Sequence, residues 1–191
     1  MKNHETNNVE LKCLEHKDGY RYCVRDRKSN KFLKATELLS NVNNEVLKLT
    51  SILEKKYPNE PNVRRLIDGY DSSILYEILP CSEHVAYTKD KGDKVALCLE
   101  TEKQQGKFID INTLIFVTIH ELAHIASQSI GHTNEFKENF RFLLDEANKN
   151  GIYEPEDYEK NPVRYCGMWI KHNPYFDLNQ GTKVDSSETN L

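Results

Sequence analysis

The sequence predicts an α+β fold, a small mixed sheet packed against helices, and three observations carry that expectation. A run from about Asn112 to Ile130 is apolar enough to form a buried helix. A second stretch, from about Asn134 to Lys149, repeats Phe136, Phe140, Leu143, Leu144 and Ala147 at helical spacing. Ahead of both lie short segments of strand character separated by turn residues.

Composition narrows the functional classes before any motif is read. The chain has 191 residues, enough for one domain with a real core and too few for two comfortable ones. Its folded body is expected over residues 9–177, with residues 1–8 and 178–191 polar enough to be disordered. A formal charge of −4, 38% hydrophobic residues and a mean hydropathy of −0.72 describe a soluble protein. Such a chain lacks the overall positive field that gathers nucleic acid or anionic membrane. The polar start MKNHETNNVE has no signal-peptide pattern, so an intracellular protein is expected, with a monomer as its default state. The longest apolar run, INTLIFVTI, falls far below the roughly 20 residues that span a bilayer, and no membrane partner is expected. The densest basic run, RDRKSNKFLK over residues 25–34, reads as a solvated face; its competing reading is a DNA-binding surface.

In chain order, KCLEHKDGYRYCVRD (12–26) places two short β-prone runs around a KDG turn, a hairpin. Leu38, Val42, Leu49, Ile52 and Leu53 then mark a helix from about Ala35 to Tyr57, which Pro58 and Pro61 stop. Residues 61–80 combine a short helical turn with the β-like ILYEIL. VAYTKD and DKVALCLE flank a KG turn and read as strand, turn, strand. Alternation in VALCL sends Val95, Leu97 and Leu99 to one face and Ala96 and Cys98 to the other, which suits a strand buried on both sides. Asp110 or Asn112 can cap the apolar helix and Gly131 can close it, while the next helix ends near Asn150 and Gly151. The five cysteines, Cys13, Cys23, Cys81, Cys98 and Cys166, are odd in number and lack CxxC spacing, so they read as free, mostly buried thiols.

HELAHIASQSIGHTNEF, residues 120–136, places three of the seven histidines within thirteen positions. Helical residues four apart share a face, because each turns about 100° and rises about 1.5 Å, so His120 and His124 can grip one ion. Glu121 is offset around the helix and can reach a metal-bound water without becoming a ligand, the HExxH logic of zinc peptidases. A catalytic zinc also needs a third protein ligand and an open position. His132 is the first choice. In an unbroken helix it would lie about 12 Å beyond His124, so the chain has to reverse at Gly131, whose missing Cβ permits the left-handed conformation. Glu135, Glu138 and Asp145 on the following helix are the alternative third ligands, and the plain alternative leaves the histidines as polar residues on a half-exposed helix. Further on, Tyr165 is a candidate donor to a tetrahedral oxyanion, against a tyrosine packed on the core. Met168 either sits beneath a metal or fills a core gap.

Residues 95–147, with HELAH, GHTNEF and FLLDEA as their specific pieces, resemble the WLM-domain zinc metalloproteases, relatives of the SprT and Spartan proteases that degrade proteins crosslinked to DNA. The resemblance implies a minimal zincin-like metalloprotease domain with Zn2+ on His120, His124 and His132 and Glu121 as general base. It also implies protein or peptide substrates, DNA-bound or DNA-crosslinked ones among them, and a nuclear or DNA-associated setting. Weaker similarity reaches back to the helix over 35–57 and to RRLIDGYDSSILYEI. The WLM pattern has a shorter link between its second and third histidines than the seven residues IASQSIG present here. The compact ending EDYEKNPVRYCGMWIKHNPY replaces the longer tails of family members and is similar to endings in WLM-like proteins of large DNA viruses. The competing function is a catalytically silent, zinc-stabilised module that binds DNA or protein; Glu121 speaks against it, since a purely structural site has no use for that carboxylate.

Overall fold

The computed structural model describes residues 10–89 and 94–179. The disorder expected for residues 1–8 and the end of the chain, and the turn at Lys91 and Gly92, lie outside the described residues, apart from Leu178 and Asn179, which close a short helical turn. Strands β1 (Leu11–Glu15) and β2 (Arg21–Arg25) form the expected antiparallel hairpin, with Gly19 at φ +88° in its turn. The chain then crosses through helices α1 (Ser29–Lys56) and α2 (Pro61–Gly69) to β3 (Ile74–Glu77), parallel to β2. A parallel pair requires such a crossover. β4 (Ala86–Lys89) and β5 (Lys94–Leu97) are antiparallel, and β5 inserts beside β3, giving a mixed sheet of order β1-β2-β3-β5-β4. Residues Val95 to Leu99 are all at most 1% exposed, so the strand is buried on both sides as its alternation predicts.

Helix α3 (Ile111–Ala126) packs on β4 and β5, and α4 (Asn134–Lys149) packs on α3. A small hairpin of β6 (Val163–Tyr165) and β7 (Met168–Ile170) follows. This is a small mixed sheet against helices, a minimal zincin-like fold. No helix among the described residues is long and apolar enough to cross a membrane.

Three expectations need correction. Helix α1 begins at Ser29 rather than Ala35; its first six residues are mostly exposed, with only Phe32 half-buried against the core, so the buried apolar repeat that marks a helix starts with Ala35. The basic run is only partly a solvated face. Arg25 is 4% exposed and donates through Nε to Ile78 O at 2.6 Å, while Arg27 donates to both carboxylate oxygens of Glu77 and to Glu100. Lys28, Lys31 and Lys34 remain exposed.

The cysteines are not all free. Cys13 is bonded to Cys23 and Cys98 to Cys166, leaving Cys81 free and exposed. Register explains the first pair, since the hairpin sets Cys13 directly opposite Cys23 with Cα atoms 3.9 Å apart. The second pair joins residues 68 apart in sequence, where Cys166 N donates to Glu100 O and lays the β6–β7 turn against the end of β5. Spacing along the chain carries neither relationship.

A half-buried polar knot ties the hairpin to α1. Asp18 accepts hydrogen bonds from Ser40 Oγ (2.6 Å), Tyr22 OH (2.8 Å) and Tyr20 N (3.0 Å), and Asn43 links Tyr22 OH to Tyr70 OH. Burial alone would raise the pKa of Asp18, but these hydrogen bonds, Ser40 first, hold it down to about 2. A carboxylate with a lowered folded pKa adds stability above its unfolded value of 3.8 and loses it as pH falls toward about 2. Asp18→Asn is therefore expected to cost about 1–2 kcal/mol at pH 7 in denaturant unfolding, with the gap to wild type closing below pH ~4. Alkylation of the unfolded chain should add one group before reduction and five after it, as read by mass spectrometry.

Candidate metal centre

Helix α3 starts at Asp110, whose carboxylate accepts from Thr113 N at 2.9 Å and Thr113 Oγ1 at 2.7 Å. Of the two candidate caps Asp110 fills the role, and Asn112 instead bonds the backbone of Glu154. The helix is buried nearly all round, so its polar residues at 120, 121 and 124 stand out as groups that folding has taken from water. It stops at Ala126, four residues before the expected end at Ile130. Ser127 turns extended and its Oγ donates back to Ala123 O at 2.7 Å, while Arg65 of α2 donates through Nε to Ala126 O at 2.7 Å. Gly131, at φ +82°, serves the reversal inside the loop rather than the helix end.

That reversal brings His132 back to the helix. The ligand atoms of His120, His124 and His132 all lie within 4.8 Å of one another. Two nitrogens on one tetrahedral zinc, each bonded at about 2.0–2.1 Å, sit about 3.3 Å apart; His120 Nε2 and His132 Nε2 are 3.1 Å apart. Phe136, one turn into α4, stacks on His124 at 4.3 Å between ring centroids and meets the rings of His120 and His132 edge-on at 4.9 and 4.8 Å. Burial, then the neighbouring imidazoles, holds His120 well below its usual pKa of 6.5; burial and then His132 bring His124 down to about 4. His132 is lowered by burial and then by Lys137. All three are neutral at pH 7, with lone pairs free to ligate. The donor set fits a divalent ion.

Glu121 lies beside the cluster, 4% exposed. Burial raises its pKa to about 8, against an opposing hydrogen bond from the backbone of Thr88 on the edge strand β4. Nothing local in the sequence marks Thr88, because long-range packing decides which strand faces the motif helix.

The alternative ligands go elsewhere. Glu135 accepts from Gln128 N (2.8 Å), Ser129 N (2.9 Å), Ser129 Oγ (2.7 Å) and Arg65 Nη2 (3.1 Å), and those backbone and hydroxyl donors, Gln128 first, hold its pKa down to about 2. Asp145 pairs with Lys149, Glu138 is exposed, and none of the three joins the histidine cluster. Tyr165 is wholly buried; its hydroxyl donates to Val85 O at 3.0 Å and accepts from Cys98 N at 3.1 Å, spanning the β4 and β5 segments. Met168 pairs with Tyr165 across the β6–β7 hairpin.

A buried helix carrying two histidines and a glutamate, with a third histidine returned to it by a loop, is an HExxH-type metal site of the metalloenzyme kind. The chain is 36% identical over 140 residues to the uncharacterized protein R325 of Acanthamoeba polyphaga mimivirus, covering 71% of each, and it belongs to the family of that protein. It is also 40% identical over 96 residues to protein 136R of Invertebrate iridescent virus 6, covering 49% of this chain and 52% of the relative. No family model matches the sequence. Among solved structures it is similar to Wss1 of Saccharomyces cerevisiae, at 19% identity and a TM-score of 0.47 over 67% of this chain and 89% of that one. A likeness this loose leaves the site geometry as the ground for function.

Tyr165→Phe should lower stability by about 1 kcal/mol in denaturant unfolding through the lost hydrogen bonds, while metal affinity stays at the wild-type value.

Proposed function

We propose that the protein is a zinc metallopeptidase that hydrolyses peptide bonds in protein or peptide substrates. The observation that supports this most is the convergence of three imidazoles beside a buried glutamate that stays outside their cluster. His120, His124 and His132 would hold the ion. Zinc bound there supplies a Lewis acid that polarises the scissile carbonyl and acidifies a water. Glu121 takes the proton of the attacking water and delivers it to the leaving amine. Its hydrogen bond to Thr88 fixes the carboxylate against β4, the sheet edge, whose outer side carries no further strand among the described residues. An extended substrate segment can add to that edge and lie across Glu121.

DNA-bound proteins enter as the substrate class through the resemblance of residues 95–147. The inward ion pairs of Arg25 and Arg27 remove two cations from the run that a DNA contact would have used.

The test measures zinc content and peptide cleavage together, with and without single- and double-stranded DNA. Glu121→Gln is expected to keep one zinc and lose about 10²–10⁴-fold in kcat/KM, whereas His132→Ala loses stoichiometric zinc. One zinc in wild type with no cleavage under any of these conditions would replace the peptidase with the silent binding module.

A further inference from the structure

We infer that Arg65 and Glu135 are a positioning pair for the metal ligands, holding the loop that carries His132 against the end of the helix that carries His120 and His124. The inference rests on the metal reading above and assigns the residues that keep the site assembled.

Burial cannot hold this loop. Residues 130–133 are exposed, Ile130 at 91%, and between Ser127 and Phe136 no apolar side chain enters the core. A reversal without a core needs polar anchors, or the third imidazole samples many positions and metal binding bears the ordering cost. Glu135 supplies those anchors. One carboxylate oxygen takes Gln128 N and the other takes both Ser129 N and Ser129 Oγ, so the outgoing arm of the loop is fixed at successive residues. Ser129 Oγ lies 2.6 Å from Thr133 Oγ1, and Thr133 caps α4, which closes the returning arm beside His132.

Arg65 joins that anchor to the ligand helix. Its Nε meets the carbonyl of Ala126, the last residue of α3, and its Nη2 meets Glu135. One guanidinium thus touches both the end of the helix that carries His120 and His124 and the carboxylate that anchors the loop of His132, while Glu135 stays outside the histidine cluster. Partners that orient ligands in this way are worth about 10- to 100-fold in metal affinity.

The test compares full-length wild type with Glu135→Gln, Arg65→Met, the double variant, and a control, Lys56→Met. The control breaks the Lys56–Glu146 bridge between α1 and α4, remote from the loop. Zn2+ affinity is read by competition with a chromophoric chelator, and stability by thermal unfolding of the metal-free chains. Each positioning variant is expected to bind Zn2+ about 10- to 100-fold more weakly, and the double variant no worse than the weaker single, since the two act as one unit. The control should lose thermal stability and keep wild-type affinity. If Glu135→Gln does not fold, Arg65→Met carries the comparison. Wild-type affinity in both single variants would overturn the inference while leaving the metal site standing; a wild type that binds no Zn2+ would overturn the metal reading and this inference together.

Discussion

A straight helix can offer only two imidazoles to one point in space, because residues farther apart than one turn move away along its axis. The third ligand therefore depends on a chain reversal, and the architecture around the site serves that reversal. Helix α3 ends early, Gly131 takes a left-handed conformation, and α4 begins with a threonine cap one residue after the returning histidine. Phe136 then closes the arrangement by lying against all three rings, so the helix that follows the loop also walls the site.

Electrostatics follow from the same burial. Removing histidines from water favours their neutral form, which is the form able to ligate, and removing Glu121 from water raises its proton affinity. The sheet meets the site where the Thr88 backbone on the edge strand donates to Glu121.

Much of this was legible in the sequence where the signal is local. HELAH sets two histidines on one helical face with a glutamate beside them, IGH announces a turn, the bounds of α4 follow from its apolar repeat, and VALCL reads as a doubly buried strand. What was not legible depends on partners far along the chain. Arg65, 61 residues before Ala126, takes the last carbonyl of α3, and no periodicity records it. The role of Glu135 as loop anchor rather than ligand depends on where Gln128 and Ser129 point. Cys13 and Cys23 meet through strand register, and Arg25 and Arg27 turn inward because Glu77 waits on a strand fifty residues later.

The Cys98–Cys166 bond gives the molecule a topology beyond its fold. Residues 98–166 form a covalent ring, and α3, the ligand loop and α4 all lie within it. A single cut in the exposed loop around Ile130 would open the ring without releasing a fragment, so a nicked chain would keep both halves of the ligand set in one molecule until the bond was reduced. The ring also limits how far the two helices can separate when the chain unfolds, which shortens the search by which His132 regains its place beside His120.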